Sequence, residues 1–306
     1  MKVRMFAGLT LLLVSATTPV LCAKERILLH RIGPSESTLF IANADGSNER
    51  PLLPNSGLDY NASFSADGKW IIFTSERAGS ADIYRVHPDG SGLERLTDDP
   101  AYDDQGALSP DGKQLAFVSS RGTGSADIWV LDLQTKKARN LTSAPGSFRP
   151  SWSPDGKWIA FSSDRNTPVR RDGGRFEQSQ AVSIYVMRAD GTDVRRLTPA
   201  GKFAGSPKWS PDGERIVFYE MDIQDTFYAR RASPVVGSGK VVDSQIVSVN
   251  LANQTRQEDT SGPGLKVSPQ FLSGNRIGYV MKAGPRMGLV CLPRTPSVST
   301  PILVER

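Results

Sequence analysis

A short turn motif recurs along this chain at nearly fixed spacing, and no other feature restricts the fold as strongly. Phe64-Ser-Ala-Asp-Gly-Lys-Trp-Ile-Ile-Phe73, Leu108-Ser-Pro-Asp-Gly-Lys-Gln-Leu-Ala-Phe117, Trp152-Ser-Pro-Asp-Gly-Lys-Trp-Ile-Ala-Phe161 and Trp209-Ser-Pro-Asp-Gly-Glu-Arg-Ile-Val-Phe218 align without gaps. Asp67, Asp111 and Asp155 are 44 residues apart, and Asp212 follows after 57. A second landmark keeps the same phase. Asp45-Gly46, Asp89-Gly90 and Asp190-Gly191 each follow an apolar run (Leu39–Ala42, Asp82–Val86, Ile184–Met187) and precede Pro51-Leu52-Leu53, Arg95-Leu96-Thr97 and Arg196-Leu197-Thr198.

The turn chemistry gives the motif a physical meaning. Proline presets φ at the second turn position, aspartate bonds nearby backbone, and glycine takes the positive φ that returns the chain as a hairpin. The run after each Asp-Gly is almost continuously apolar, as in strands covered on both faces. Each repeat therefore predicts four short strands, a to d. Four strands per 40 to 45 residues, with turns in register, is the pattern of a β-propeller blade.

At these residues the chain resembles the TolB-like propeller repeats: Trp-Ser-Pro-Asp-Gly-Lys-x-Ile-Ala-Phe, Ser-x-Arg, Ile-Tyr-Val-Met, Asp-Gly and Arg-Leu-Thr, over roughly Leu39 to Phe218. The resemblance implies an exported propeller, usually non-catalytic, that works by binding. TolB proteins carry an N-terminal α/β domain ahead of the propeller, whereas strand-forming sequence starts here at Ile27-Leu-Leu-His30. The resemblance is therefore to the propeller part alone.

Counting repeats predicts an all-β, six-bladed propeller over 24–306. Residues 61–100, 103–145, 148–201, 206–263 and 265–306 form blades that open on an inner strand a. In the last, Ser273-Gly274-Asn275 replaces the Asp-Gly turn and Pro301–Glu305 stands at the outer strand. Residues 24–54 supply strands b to d of one further blade. Counting back 44 from Asp67 places its inner strand in the leader, so the first blade is expected to lack it. The alternative is a truncated module of a longer propeller protein.

Residues 1–23 read as a signal peptide: Lys2 and Arg4 are basic, Met5 to Val14 is mostly apolar, and a small-residue cleavage site follows Ala23. A periplasmic or secreted location is expected, and no later apolar stretch is long enough to span a bilayer. Cleavage removes Cys22 and leaves Cys291 alone, so packing and hydrogen bonds must hold the fold without an intramolecular disulfide. It also leaves 35 basic against 32 acidic residues, a charge of about +3, too small and dispersed for nucleic acid. A monomer is expected.

Breaks in the period are where function is expected. Two extended b–c connections fall in adjacent blades, at roughly Asn166–Val182 and Asp222–Ser244. The first carries Arg170, Arg171, Arg175 and Phe176; the second carries Asp222, Asp225, Phe227, Tyr228, Arg230 and Arg231. Arginine forks beside aromatic rings suit a protein hot spot or an acidic saccharide. The d–a connections add Tyr60, Tyr102, Asp103, Asp104, Phe148, Arg149 and Phe203 to the same face. Arg77, Arg121 and Arg165, which end strand b, and Asp82 and Asp127, which open strand c, are read as blade-edge ion pairs or turn bonds rather than a site.

Catalytic templates find little support. The chain holds two histidines, His30 and His87, without metal-ligand spacing. It has no Gly-x-Ser-x-Gly elbow and no phosphate-binding glycine loop. The run Asp98, Asp99, Asp103, Asp104 offers oxygen ligands for calcium but lacks the spacing of a calcium loop, so no metal site and no cofactor are assigned. The leading expectation is a non-catalytic scaffold that binds a protein or an acidic saccharide. The alternative is a carbohydrate-active lyase or hydrolase with a carboxylate pair among Asp103, Asp104, Asp222 and Asp225.

Overall fold

The computed structural model describes residues 26–32, 37–43, 46–55, 57–122, 124–143, 146–167, 181–223, 225–226, 242–283, 288–292 and 302–303. Their strands form six antiparallel sheets in chain order, the six blades of a propeller. Among the described residues blade 1 has three strands: β1 (Arg26–Ile32), β2 (Ser37–Asn43) and β3 (Arg50–Pro51). Blade 2 contains β4 (Asp59–Phe64), β5 (Ile71–Ser75), β6 (Asp82–Val86) and β7 (Glu94–Arg95). Blade 3 contains β8 (Asp103–Leu108), β9 (Gln114–Ser119), β10 (Asp127–Asp132) and β11 (Ala138–Asn140). Blade 4 contains β12 (Ser147–Trp152), β13 (Trp158–Ser163), β14 (Ser183–Arg188) and β15 (Arg195–Arg196). Blade 5 contains β16 (Lys202–Trp209), β17 (Arg215–Asp222), β18 (Ser244–Asn250) and β19 (Arg256–Glu258). Blade 6 contains β20 (Leu265–Leu272), β21 (Arg276–Ala283), β22 (Gly288–Cys291) and β23 (Ile302–Leu303).

Among the described residues blade 1 has no inner strand, as the repeat register predicts. Among the described residues β1 pairs only with β2, with His30 opposite Leu39. The turn motif also works as its chemistry demands. Ser65 Oγ donates to Asp67 at 2.7 Å and accepts from Trp70 N at 2.9 Å. Ser109, Ser153 and Ser210 repeat both contacts. Gly68, Gly112, Gly156 and Gly213 take φ of 69 to 75° at the same place, which a side chain would strain.

The threonine of the Arg-Leu-Thr motif, with its counterparts Thr142 and Thr260, is a clasp that pins the outer strand. The hydroxyls of Thr97, Thr142, Thr198 and Thr260 accept from the backbone N–H of Ile83, Ile128, Ile184 and Ile246, at 2.9 to 3.0 Å. These bonds fill donors that strands as short as β7 and β15 leave open on strand c.

The core lies between blades rather than within one. Phe73, Phe117, Phe161 and Phe218, in the middle of strand b, are fully buried. Blade 1 meets blade 2 through Leu39, Ile41, Ile71 and Phe73, and Ile83, Leu108, Leu115 and Phe117 fill the next interface. Ile128, Trp152 and Phe161 join blades 3 and 4, and Ile184, Ile216 and Phe218 join blades 4 and 5. Val217, Ile246, Ile277 and Tyr279 join blades 5 and 6. Each large side chain buried in this way stabilises by roughly 1.5–3 kcal/mol.

The arginines that end strand b are structural, but their partners differ from those the sequence pointed to. Arg77 reaches both oxygens of Asp59 at 2.9 Å, and Arg121 reaches Asp103 at 2.5 Å. Both aspartates lie on strand a, not strand c. Asp59 stands directly opposite Ser75 in the a–b ladder, and each arginine folds back over that ladder. Arg77 covers the Phe73 and Tyr84 rings, and Arg121 covers Phe117 and Trp129. Asp82 is held instead by Arg95 at 2.7 Å, and Asp127 by Thr142 and Asn140.

Candidate binding site

The register fixes which loops share an end of the propeller. Asp59 pairs with Ser75, Asp103 with Ser119, Ser147 with Ser163 and Lys202 with Asp222, so every inner strand starts beside the end of its strand b. The d–a and b–c connections of blades 2 to 5 therefore leave from one face. Residues 76–81 and 120–126 link strands b and c in blades 2 and 3, against 164–182 and 223–243 in blades 4 and 5. Of the residues expected to bind there, Arg170, Arg171, Arg175, Phe176, Phe227, Tyr228, Arg230 and Arg231 lie outside the described residues.

The described candidates divide by what their polar atoms do. Asp103 is 0% exposed, takes Ser119 Oγ at 2.6 Å as well as Arg121, and has its pKa raised by burial. Its carboxylate works inside blade 3. Asp104 is also buried, yet it joins blades: Asn61 Nδ2 donates to both its oxygens (2.8 and 3.0 Å), and Thr74 Oγ1 donates at 2.6 Å from blade 2. Tyr102 is exposed, and its hydroxyl bridges Asp104 and Tyr60, each at 3.3 Å. Tyr60 in turn donates to Glu76 at 3.0 Å. Desolvation first, then these bonds and the nearby carboxylates, holds the Tyr60 phenol far above the ordinary tyrosine range; burial raises Tyr102 as well. Two phenols and two carboxylates thus form a polar ledge on the rim of blades 2 and 3.

Arg149 differs from all of these. Its backbone N–H donates to Gln105 Oε1 of the preceding blade at 2.8 Å, while its exposed guanidinium has no hydrogen bond or ion pair among the described residues. Phe148 is half-buried beside it, and Phe203 packs near the Tyr219 ring at 6.0 Å. The run of four aspartates does not converge: Asp99 lies 3.6 Å from Arg121, and Asp103 and Asp104 are committed as above. His87 stacks on Trp70 at 3.8 Å, and His30 bonds Ser37.

Sequence reasoning missed the inner-strand bulges. Each inner strand of blades 2 to 6 slips register at a residue of left-handed φ (Asn61, Gln105, Arg149, Ser206 and Ser268), and β20 slips a second time between Leu265 and Lys266. Such bulges bend a strand and re-aim a side chain. Asn61 and Gln105 use theirs to bond the next blade. The only sequence signal is the proline after the bulge in blades 4 to 6, Pro150, Pro207 and Pro269.

Comparison with known proteins agrees with this architecture. A family model described as the TolB beta propeller domain matches residues 25–167 and 104–233. The Tol-Pal system protein TolB of Desulfosudis oleivorans is 35% identical over 64 residues, 21% of this chain and 15% of that protein. TolB from Acinetobacter baumannii superposes with a TM-score of 0.68 at 23% identity, covering 89% of this chain and 62% of its own. A putative TolB from Agrobacterium tumefaciens gives 0.66 at 20% identity, covering 89% and 90%. This chain thus spans about three fifths of the Acinetobacter protein and matches a smaller share of the Desulfosudis one. With the family model covering more than half of its residues, the chain belongs to the TolB β-propeller family.

Proposed function

We propose that this protein is an exported, periplasmic propeller that acts as a monomeric, non-catalytic scaffold and takes up a protein partner on its b–c face. One observation carries the reading: an economical repeat is broken twice, in adjacent blades, and both long connections leave from the end where Tyr60, Tyr102 and Arg149 stand. Exposed aromatic and arginine side chains around a rigid rim are what a protein hot spot needs. Kinship with a family that includes a Tol-Pal system protein favours a protein partner over a small substrate.

The test replaces residues 168–180 with a Gly-Ser linker in the mature chain and compares capture from a periplasmic extract. Loss of a captured protein, with unchanged circular dichroism and melting, is the expected result. Undiminished capture by the replaced variant overturns the proposal. Binding or cleavage of uronate oligosaccharides instead would assign the face to an acidic saccharide.

A further inference from the structure

Three blades end strand b with the same corner: Ser75 and Arg77, Ser119 and Arg121, Ser163 and Arg165. In each the guanidinium lies over two rings, one from strand b and one from strand c. Arg77 stands 5.5 and 5.2 Å from the Phe73 and Tyr84 centroids, and Arg121 stands 5.1 and 5.3 Å from Phe117 and Trp129. Arg165 stands 4.9 and 5.1 Å from Phe161 and Tyr185. Each Nε donates to the serine of its own corner, at 2.8, 2.9 and 3.2 Å. The three arginines hold one pose.

What they meet differs. Opposite the corner serine, at the start of strand a, stand Asp59 in blade 2, Asp103 in blade 3 and Ser147 in blade 4. Each aspartate gives its arginine a carboxylate. Serine reaches one bond less far and carries no charge, and Arg165 Nη2 donates to its hydroxyl at 3.3 Å. Among the described residues no carboxylate pairs with Arg165, and its Nη1 has no hydrogen-bond acceptor. The Asp164 carboxylate lies against Gly146 instead. Asp127 acts on Arg165 from blade 3 only through its charge, and its oxygens bond Thr142 and Asn140. Desolvation pushes the Arg165 pKa below the ordinary arginine range. A half-buried cation without a counter-charge costs stability, and a fork already held in place binds a carboxylate with little further ordering.

We propose that Arg165 is a carboxylate-binding site on the b–c face of blade 4, where an incoming carboxylate plays the part of Asp59 and Asp103. The guanidinium keeps part of its surface open, and the long b–c connection starts beside it. The fork can take such a group through two parallel bonds. The carboxylate belongs either to a small free acid or to an acidic side chain of a docked protein, and only the second source rests on the scaffold reading.

The experiment follows the arginine Nε–H resonances of the mature chain by heteronuclear NMR while acetate replaces chloride at constant ionic strength. The Arg165 signal, identified by its loss in Arg165→Lys, should move saturably. Those of Arg77 and Arg121, which already hold carboxylates, should stay in place. Ser147→Asp installs the aspartate of blades 2 and 3 and should weaken the acetate response about tenfold or more, the worth of one charged hydrogen bond. The reverse exchange, Asp103→Ser, adds no charge and should make the Arg121 signal responsive. Loss of protein capture from a periplasmic extract by folded Ser147→Asp assigns the carboxylate to a docked partner; unchanged capture with a lost acetate response assigns it to a free acid. An Arg165 signal that ignores acetate, that responds equally in Ser147→Asp, or that moves no more than those of Arg77 and Arg121 overturns the proposal, as does an unresponsive Arg121 in Asp103→Ser.

Discussion

The repeat contains its own control for one buried ion pair. Two residues before the bulge stand Asp59, Asp103, Ser147, Ala204 and Lys266 in blades 2 to 6. In blade 3, Arg121 is 16% exposed and pairs with the fully buried Asp103. In blade 4 the hydrogen-bond partners of the equivalent Arg165 among the described residues are hydroxyls, Ser163 at 3.2 Å and Ser147 at 3.3 Å, and burial lowers its pKa. Asp103→Ser therefore transplants the blade 4 solution into blade 3. Removing one partner of a buried pair costs about 3–5 kcal/mol, because the other charge is stranded. Arg121 keeps Asp99 at 3.6 Å and two aromatic rings at 5.1 and 5.3 Å, so the cost falls somewhat below that range, to about 2–3 kcal/mol. At roughly 2–4 °C per kcal/mol for a chain of this order, the melting temperature should fall by roughly 5–10 °C. Urea titration at unchanged slope gives the energy directly. The double variant Asp103→Ser, Arg121→Met should recover at least half of the loss, since it strands no charge. A single-variant loss below about 1 kcal/mol, the value of an exposed pair, would refute the claim that the bridge acts as a buried one.

Two further outcomes follow from the geometry. In Gly106→Ala the new Cβ would stand 2.8 Å from Ile83 Cγ2 and 3.0 Å from Ile72 Cγ2, so overpacking between blades 2 and 3 should cost about 1–3 kcal/mol in urea titration; a neutral result would reveal slack there. Burial raises the pKa of Asp164, so its protonated form is favoured on folding and stability declines as pH climbs from the ordinary carboxylate value through the raised one. Asp164→Asn should be more stable than the unaltered protein above that window, with the gain vanishing below it; melting curves across pH 3 to 8 would expose a flat difference if this is mistaken.

What could be read from the sequence was whatever local chemistry decides. Ser-Pro-Asp-Gly specifies its own hairpin, so strands a and b and the phase of the blades were visible, as was the first blade's three-stranded sheet among the described residues. Arg-Leu-Thr was visible as a landmark but not as a clasp, because Thr97 bonds a donor 14 residues earlier and only the c–d pairing brings them together. The partners of Arg77 and Arg121 were misread for a related reason: each lies 18 residues upstream, across a ladder whose register depends on a bulge. Those bulges carry Asn, Gln, Arg or Ser in the left-handed region, not the glycine that would have announced them.

Among the described residues, five apolar interfaces join six blades, and none joins the sixth to the first. The two ends still approach, since the Lys282 charge on β21 reaches His30 on β1 and, after burial, lowers its pKa. In polymer terms these five interfaces make a bent stack whose stability sums nearest-neighbour contacts. A cavity cut into one core should therefore weaken that joint and leave the apolar contacts of the other four as they are.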